Sequence, residues 1–238
     1  MSEFRNDSYV SSRPEVLVKS YMTKVYGFMA LALFLTAAVA YMGYQSLLSG
    51  GFIYRLLRSE FGFWILFLIQ LGLAFGLSAG ISRFPAWMNG LMMVVYSVVT
   101  GITFSVLPVL FEMYTIYQAF IYSAVLFSSL AMVGTFTSFD LSKISGILIG
   151  GLVALVIIHL IAIWVPSLHQ NMWVSYAGLV IFMGLTAWDA QRLKKYALIQ
   201  EEGNKQLNLA IYGAFELYLD FINMFIYLLR ILSGGRRK

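Results

Sequence analysis

The chain has no cysteine among its 238 residues and little charge, since only 11% of its residues are Asp, Glu, Lys or Arg. The lack of cysteine excludes a disulfide framework and any metal site built on thiolates. The scarcity of charge, together with 60% apolar residues, indicates a polytopic membrane protein rather than a soluble domain. The net charge is +5, but no long basic run is present to follow phosphates, so binding to nucleic acid is not expected.

Seven apolar runs reach the length that a helix needs to cross a hydrocarbon core about 30 Å thick, which is roughly 20 residues. The sequence therefore predicts an all-helical membrane protein, with a solvated tail over residues 1–20 and a single seven-helix transmembrane domain over residues 21–238. The first run is too long for the apolar part of a cleaved signal peptide and has no small-residue cleavage site, so it should remain as a signal anchor. The predicted spans are Val25–Tyr44, Phe61–Ser82, Pro85–Leu107, Ile116–Phe136, Lys143–Val165, Met172–Leu193 and about Leu207–Leu232.

The distribution of Lys and Arg predicts the orientation of these spans. With the N-terminus in the cytoplasm, ten basic residues lie on the cytoplasmic side and six on the other side. A re-entrant last segment would change the count to fourteen against two, because the basic C-terminal tail would then return to the cytoplasm. The length of the last apolar run favours a full seventh span, and the re-entrant arrangement is the alternative.

Two aspartates, Asp189 and Asp220, lie inside the sixth and seventh apolar runs. A carboxylate in hydrocarbon costs several kcal/mol unless it is paired, protonated or facing water, so each is a candidate functional residue. Two carboxyl groups held close together in low dielectric cannot both ionise cheaply, so the pair should share a proton and titrate as a unit, like a pH sensor. Their oxygens also suit Ca²⁺, but two carboxylates supply at most four of the roughly six to eight oxygens that Ca²⁺ takes, which predicts weak and transient binding.

Other polar residues of the spans are secondary candidates, each with two interpretations. Glu216, one helical turn before Asp220, either adds a third carboxylate or faces water at the mouth. Asn223 either orients Asp220 or ties two helices together. His159 either relays protons, since imidazole titrates near neutral pH, or bonds to a neighbouring helix. Asp140, just before the fifth span, is expected to cap that helix.

Glycines recur every four residues in two of the spans. The segment GLAFGLSAG places Gly72, Gly76 and Gly80 on one helix face, and GILIG does the same with Gly146 and Gly150. Such spacing allows two backbones to approach closely in a bilayer. We therefore expect helix packing at both places, with sliding in a gate as the alternative.

Four segments together resemble the transmembrane Bax-inhibitor-motif family: GLTAWDAQRLKK, LYLDFINMFIYLLRIL, VTGITFS after Arg83, and TSFDLSK before the fifth span. The resemblance covers essentially the whole membrane region and is closest to bacterial members, which have a short tail before the first span. It implies a fold in which six helices wrap a central C-terminal helix. It also implies a pH-sensitive calcium leak in the bacterial inner membrane, with Ca²⁺ as the transported ion, no cofactor and no enzymatic activity.

The resemblance implies roles for individual residues as well. Asp189 and Asp220 match the family's hydrogen-bonded pair of aspartates on the sixth and seventh helices. Arg83 resembles the arginine that latches the sixth-helix carboxylate in the closed form. Trp188 departs from the tyrosine that is usual in that place, which removes a hydroxyl group.

Three other function classes remain beside the leak. A proton-coupled cation exchanger would use the same aspartates, but it should show inverted repeats and broken helices, and no convincing internal repeat is found. An intramembrane aspartyl protease also shares a proton between two aspartates, but Asp220 follows LYL rather than the GxG usual before such a residue. A regulatory protein that binds another membrane protein is the third. The expected partners are membrane lipid, calcium and protons, with a membrane protein as a further one.

Overall fold

The computed structural model describes residues 3–59, 61–80, 83–165, 171–198 and 204–234, with the side chains of 3–15, Phe63 and Asn204 left aside. In this part of the chain the secondary structure consists of nine α-helices, and the predicted all-helical fold is confirmed. The helices are α1 (Glu3–Leu48), α2 (Phe52–Arg58), α3 (Gly62–Gly80), α4 (Ala86–Phe104), α5 (Leu107–Leu110), α6 (Met113–Phe136), α7 (Ser142–Ile161), α8 (Met172–Ala197) and α9 (Asn204–Leu232).

Six helical segments among the described residues are long and apolar enough to cross a membrane. The predicted second span corresponds to α3, which holds a shorter apolar stretch, Trp64–Gly80, while Ser82 at the end of that prediction lies outside the described residues. Each of the seven predicted runs thus has a helical counterpart. The six longer segments are Val16–Leu48, Ala86–Leu110, Met113–Phe136, Ser142–Ile161, Met172–Ala197 and Lys205–Leu232.

Two helix boundaries have readable causes in the sequence. Helix α4 ends at Phe104 because Pro108, four residues later, has no N–H to offer the Phe104 carbonyl, and its ring crowds that oxygen. Helix α7 begins at Ser142, whose backbone N–H and hydroxyl donate to Asp140 Oδ1 at 3.2 and 2.6 Å. Asp140 thus accepts the first N–H of the helix, as expected, but from the position before the N-cap, which is Leu141 and makes no side-chain cap bond.

The chain divides into two compact units, each of which combines two separate parts of the sequence. The first comprises Met1–Val106 and Leu193–Phe215, and the second comprises Leu107–Arg192 and Glu216–Lys238. Helix α1 already begins at Glu3. The predicted division into a solvated tail over residues 1–20 and one domain over residues 21–238 stays a prediction.

In the first unit, two buried asparagines fix the turn that joins α3 to α4. Asn89 of α4 donates to Asn208 Oδ1 of α9 at 3.1 Å, and Asn208 in turn donates to the Phe84 carbonyl at 2.9 Å. Asn89 also donates to the carbonyl of Gly80, the last residue of α3, at 3.3 Å. Because these bonds bracket Arg83, they hold the backbone that carries this side chain in a fixed position.

In the second unit, α8 packs closely against both α6 and α7 through glycines. A Cβ atom at Gly134 of α6 would overlap the carbonyl group of Ala187 in α8. A Cβ atom at Gly151 of α7 would come within 2.9 Å of the Ile181 side chain. Gly134 is therefore required for the observed distance between α6 and α8, whereas at Gly151 the Ile181 side chain could move aside. Neither glycine belongs to the four-residue repeats noted in the sequence.

The repeated glycines themselves give a mixed outcome. A Cβ atom at Gly76 would contact the Met92 sulfur at 3.4 Å, and one at Gly80 would crowd the Phe84 ring, so these two positions lie in packed surroundings. At Gly72, Gly146 and Gly150 nothing lies within 4 Å of such an atom. The expected packing of the GILIG segment is wrong, because the face of α7 that meets α8 is set by Gly151.

Helix α9 is the most buried of the six long apolar segments. In its apolar window 61% of the residues are buried, compared with 6% to 39% in the other five. In the second unit its Phe221 ring packs edge-on against Phe120 and Phe127 of α6, with ring centroids 5.6 and 5.8 Å apart. The expected central place of the C-terminal helix among the other six stays a prediction.

Candidate functional site

The two predicted aspartates meet between α8 and α9 within the second unit. Asp189 lies on α8 and Asp220 on α9, and they are only 6% and 4% exposed. Their side chains lie close together. Two carboxyl groups that are side by side and away from water cannot both ionise cheaply, so this arrangement suits a pair that shares one proton.

The surroundings of Asp220 are largely apolar. The Thr186 hydroxyl of α8 lies near Asp220, donates to the Phe182 carbonyl at 2.8 Å and lies 3.6 Å from the Met224 sulfur. One oxygen of Asp220, Oδ2, has no hydrogen-bond partner among the described residues. A buried carboxyl oxygen without a partner is costly, which keeps Asp220 a candidate functional residue.

Arg192 joins the aspartate pair to a third carboxylate. Its Nη2 atom lies 2.8 Å from Asp189 Oδ1 and 2.5 Å from Glu216 Oε1. Asp189 and Arg192 are three residues apart on α8, and Glu216 and Asp220 are four apart on α9, so each pair shares one helix face. The facing sides of α8 and α9 therefore form one cluster of four charged groups, which we call the carboxylate cluster: Asp189, Arg192, Glu216 and Asp220.

The solvent exposure of this cluster increases toward Arg192. The Asp189 side chain is 9% exposed, that of Glu216 14% and that of Arg192 24%. The guanidinium carbon of Arg192 also lies 4.7 Å from the centroid of the Trp188 ring, a distance at which the cation is attracted to the ring face. The indole thus provides a contact for the guanidinium at the more open end of the cluster.

Gln191, next to Arg192, connects α8 to the loop between α6 and α7. Its Nε2 donates to the Phe139 carbonyl at 2.8 Å, and its Oε1 accepts from the Leu141 N–H at 2.9 Å. The Gln191 side chain is buried. Both ends of its amide are therefore used to hold the loop backbone beside the carboxylate cluster.

The charge of the cluster explains what it can attract. Three carboxylates and one guanidinium sum to −2 when all are ionised, and one shared proton reduces this to −1. Within the parts of the chain that the structure describes, no group of three or more His, Asp or Glu side chains is arranged to hold a metal ion. The weak, transient metal binding predicted for Asp189 and Asp220 stays a prediction.

Sequence comparison identifies the family to which this arrangement belongs. The profile of the family described as "Inhibitor of apoptosis-promoting Bax1" matches residues 18–238. The chain belongs to this Bax-inhibitor family. The resemblance seen in the sequence motifs is thereby confirmed.

Bacterial relatives match the chain along nearly its whole length. The inner membrane protein YbhL of Escherichia coli strain K12 is 35% identical over 237 residues, which cover 98% of both chains. An uncharacterised protein of Borreliella burgdorferi is 32% identical over 228 residues, covering 95% of this chain and 97% of its own. An uncharacterised membrane protein of Streptococcus pyogenes serotype M1 is 29% identical over 231 residues, with 96% and 98% covered. With its apolar helices, this Bax-inhibitor family member is an integral protein of the bacterial inner membrane.

Arg83, the latch residue implied by the family resemblance, belongs to a different unit from the carboxylate cluster. Arg83 is exposed, sits in the turn between α3 and α4, and belongs to the first unit. The ion pair that the structure gives to Asp189 is with Arg192 of its own helix. The role of Arg83 as a latch stays a prediction for this Bax-inhibitor family member.

The secondary candidates differ in their outcomes. Glu216 is a member of the carboxylate cluster rather than a solvated side chain at a mouth. Asn223 donates to the Leu219 carbonyl of its own helix at 2.8 Å, so this bond serves neither of its two predicted roles. His159 Nδ1 lies 2.7 Å from the Leu155 carbonyl, and its ring packs edge-on against the Tyr227 ring of α9 with centroids 6.3 Å apart. His159 therefore lies at a helix contact, which favours its packing role.

Two residues of the site were missed by reasoning from the sequence. Arg192 was counted only as a charge that sets topology, although its spacing of three residues from Asp189 is typical of an ion pair on one helix face. Gln191 carries no recognisable signal, because its partners are backbone atoms of a loop some 50 residues away.

Proposed function

We propose that this Bax-inhibitor family protein is a pH-sensitive cation leak, with Ca²⁺ as the transported ion, and that the Asp189–Asp220 pair gates it. The observation that carries the proposal is that these two buried carboxyl groups lie close together beside a third carboxylate and a single guanidinium. A pair that shares one proton changes its charge when that proton is gained or lost. The charge that the Asp189–Asp220 pair places along the ion pathway therefore depends on the pH.

The direction of the pH response follows from the two effects of protonation. A proton on Asp189 weakens the attraction between this carboxylate and Arg83, the predicted latch, and so favours opening. Further protonation removes the negative charge that draws a divalent cation inward. Flux should therefore pass through an optimum as the pH is lowered.

The same cluster is suited to passage rather than to storage of an ion. Hard carboxylate oxygens select Ca²⁺ over softer metals, but a tight site needs about six to eight oxygens placed around the ion. No such group is arranged among the described residues. A weakly held ion leaves as readily as it enters, which is what a leak requires.

Calcium flux into liposomes tests the proposal. The purified full-length chain is reconstituted with a calcium indicator inside the vesicles, and flux is measured with and without a pH gradient. Calcium flux in the absence of a proton gradient is expected. Calcium flux that occurs only with a counter-flow of protons would overturn the leak in favour of a proton-coupled exchanger.

A pair of matched carboxylate variants links the flux to the cluster. Asp220→Asn removes buried charge and should lower flux at every pH. Glu112→Gln makes the same type of change at an exposed residue just before α6 and should leave the flux unchanged. Equal flux in wild type and in folded Asp220→Asn would contradict the assignment of the pathway to this pair.

A further inference from the structure

The first unit contains a cavity between α1 and α4, which we call the α1–α4 cavity. Its volume is about 470 Å³, and Ile211 of α9 completes its lining. This is about three times the volume of the roughly 150 Å³ apolar cavity that binds benzene in another protein. On α1 the lining extends from Phe28 to Leu35 and on α4 from Gly90 to Ser97, so the cavity follows the helices for about 10 Å.

The cavity exists because α1 and α4 touch at one level and diverge at another. A Cβ atom at Gly101 would lie 2.7 Å from the Thr36 carbonyl oxygen, and the Thr36 hydroxyl donates to the Ser97 carbonyl at 3.1 Å. About three helical turns before Gly101, a Cβ atom at Gly90 would meet a single described atom within 4 Å, the Ile211 Cδ1 at 3.8 Å. No described atom of α1 comes that close to Gly90, so the space between the two helices opens toward their N-terminal ends.

The lining of the α1–α4 cavity is suited to hydrocarbon. Ser97 carries the one polar side chain among the described residues that line it. The Ser97 hydroxyl donates to the Met93 carbonyl of its own helix at 2.9 Å, so it already has an acceptor. A buried water molecule needs about two to four polar partners, which this lining does not supply. The ligand class that fits is therefore apolar and elongated.

The cavity opens toward the lipid. Ala32 and Met93 lie at its base and are buried, whereas Leu31 and Phe34 at its edge are 65% and 74% exposed. Both helices belong to segments that are long and apolar enough to cross the membrane. In an integral membrane protein, the neighbours of such an exposed apolar edge are the acyl chains of the bilayer. An acyl chain can therefore enter the cavity without passing through water.

Lys24 provides a positive charge at the wide end of the cavity. It is exposed and precedes Phe28 by one helical turn, so the two residues share a face of α1. It also directly precedes the predicted span Val25–Tyr44, at the level where lipid headgroups lie. A lysine at the end of a span extends its ammonium group toward that level. There the ammonium group complements the charge of a lipid phosphate.

We propose that the α1–α4 cavity binds one acyl chain of a membrane phospholipid, with the phosphate of the same lipid at Lys24. The chain fills the space between α1 and α4 that the contact at Gly101 leaves open. This site belongs to the first unit, whereas the carboxylate cluster belongs to the second. The inference therefore does not depend on the proposed calcium leak.

Photo-crosslinking tests where the acyl chain lies. The full-length protein is reconstituted in vesicles of phosphatidylethanolamine and phosphatidylglycerol that contain a trace of phosphatidylglycerol with a diazirine in its acyl chain. After illumination, the labelled residues are identified by mass spectrometry of peptides. Label is expected at the buried Ala32 and Met93 as well as at the exposed Phe34. Label at Phe34 without label at Ala32 and Met93 would overturn the proposal.

A leucine at position 90 provides the matched variant. Gly90→Leu places a side chain in the cavity and should lose the label at Met93 while it keeps the label at Phe34. Gly72→Leu makes the same change on α3, where nothing lies within 4 Å of a Cβ atom, and should be labelled like wild type. Equal label at Met93 in wild type and Gly90→Leu would contradict the proposal. If Gly90→Leu does not fold, Ala32→Leu fills the cavity from α1 and must lose the label at Met93.

The charge at position 24 tests the phosphate contact. Lys24→Gln should reduce the label at Met93, whereas Lys19→Gln, which removes another exposed positive charge from α1, should not. Unchanged label in Lys24→Gln would overturn the phospholipid in favour of any free acyl chain. A cavity occupied by a second copy of the chain would give no label at Met93 together with crosslinks between copies, and this result would also overturn the proposal.

Discussion

Replacement of Gly134 by alanine should destabilise the protein, because α6 and α8 touch backbone to backbone at this point. The new Cβ would overlap the carbonyl group of Ala187, and a backbone group cannot rotate aside as a side chain can. The two helices must therefore separate. Overpacking costs about 1–3 kcal/mol, and an overlap with backbone belongs in the upper part of that range, about 2–3 kcal/mol. About 0.5–1 kcal/mol is recovered because alanine is the better helix former. A net loss of about 1–2.5 kcal/mol is expected.

The loss can be measured as a shift in thermal unfolding. In a chain of this length 1 kcal/mol moves the midpoint by about 2–4 °C, so Gly134→Ala should unfold about 2–10 °C below wild type. Gly146→Ala is the matched control, since nothing lies within 4 Å of its Cβ. It should unfold at the wild-type temperature or up to about 4 °C above it, because only the helix-forming gain remains. Circular dichroism of the detergent-solubilised protein follows both transitions.

Gly134→Ala also reaches the carboxylate cluster. Ala187 precedes Asp189 by two residues on α8. A displacement of α8 should therefore alter the contacts of Asp189 and Arg192 with α9, including the ion pair between Arg192 and Glu216, and with them the pH profile of calcium flux. The reasoning is refuted if Gly134→Ala unfolds at or above the wild-type temperature. A decrease of equal size in both glycine variants would equally refute it, since the effect would then not depend on the contact with Ala187.

Three further outcomes are expected. Wild-type calcium flux should pass through an optimum in pH. Asp189→Asn, which mimics permanent protonation, should flatten the alkaline side of that pH profile. An alkaline side that is unchanged in this variant would contradict the role of Asp189 as the pH sensor. Arg83→Ala should raise flux at alkaline pH by about tenfold, the effect of losing a charge-assisted bond of about 1.5 kcal/mol, whereas unchanged flux in a folded variant would exclude the latch. A reporter fused after Lys238 should lie on the opposite side of the membrane from the N-terminus, and both ends in the cytoplasm would mean a re-entrant last segment.

The helices and the aspartate pair could be predicted because both depend on local properties of the sequence. An apolar run of spanning length forms a helix in lipid whatever its neighbours are, since its backbone groups must bond internally. A carboxylate within such a run must find a partner, so Asp189 and Asp220 were recognisable from their positions alone. The resemblance to the Bax-inhibitor family then predicted that these two aspartates form a pair.

The partners within the cluster depend instead on how α8 and α9 are rotated about their axes. Spacing shows that Arg192 shares a face with Asp189, but not that the same face meets Glu216. The glycines illustrate the same limit. Gly146 and Gly150 leave one face of α7 without side chains. The position of α8 nevertheless decides that Gly151 is the glycine against which α8 packs. Rotation and register of packed helices arise from many contacts together, and a single sequence does not contain them in readable form.

The clamp that Gln191 places on the loop between α6 and α7 has a consequence for how the sequence can vary. Both of its hydrogen bonds reach main-chain atoms, the carbonyl of Phe139 and the N–H of Leu141. Every amino acid supplies the first group and all but proline supply the second. Substitutions other than proline at Phe139 and Leu141 should therefore leave the two bonds to Gln191 intact, and proline at Phe139 would also remove its N–H bond to Thr137. Gln191 itself has few replacements, because only a side-chain amide of this length can accept and donate at both places.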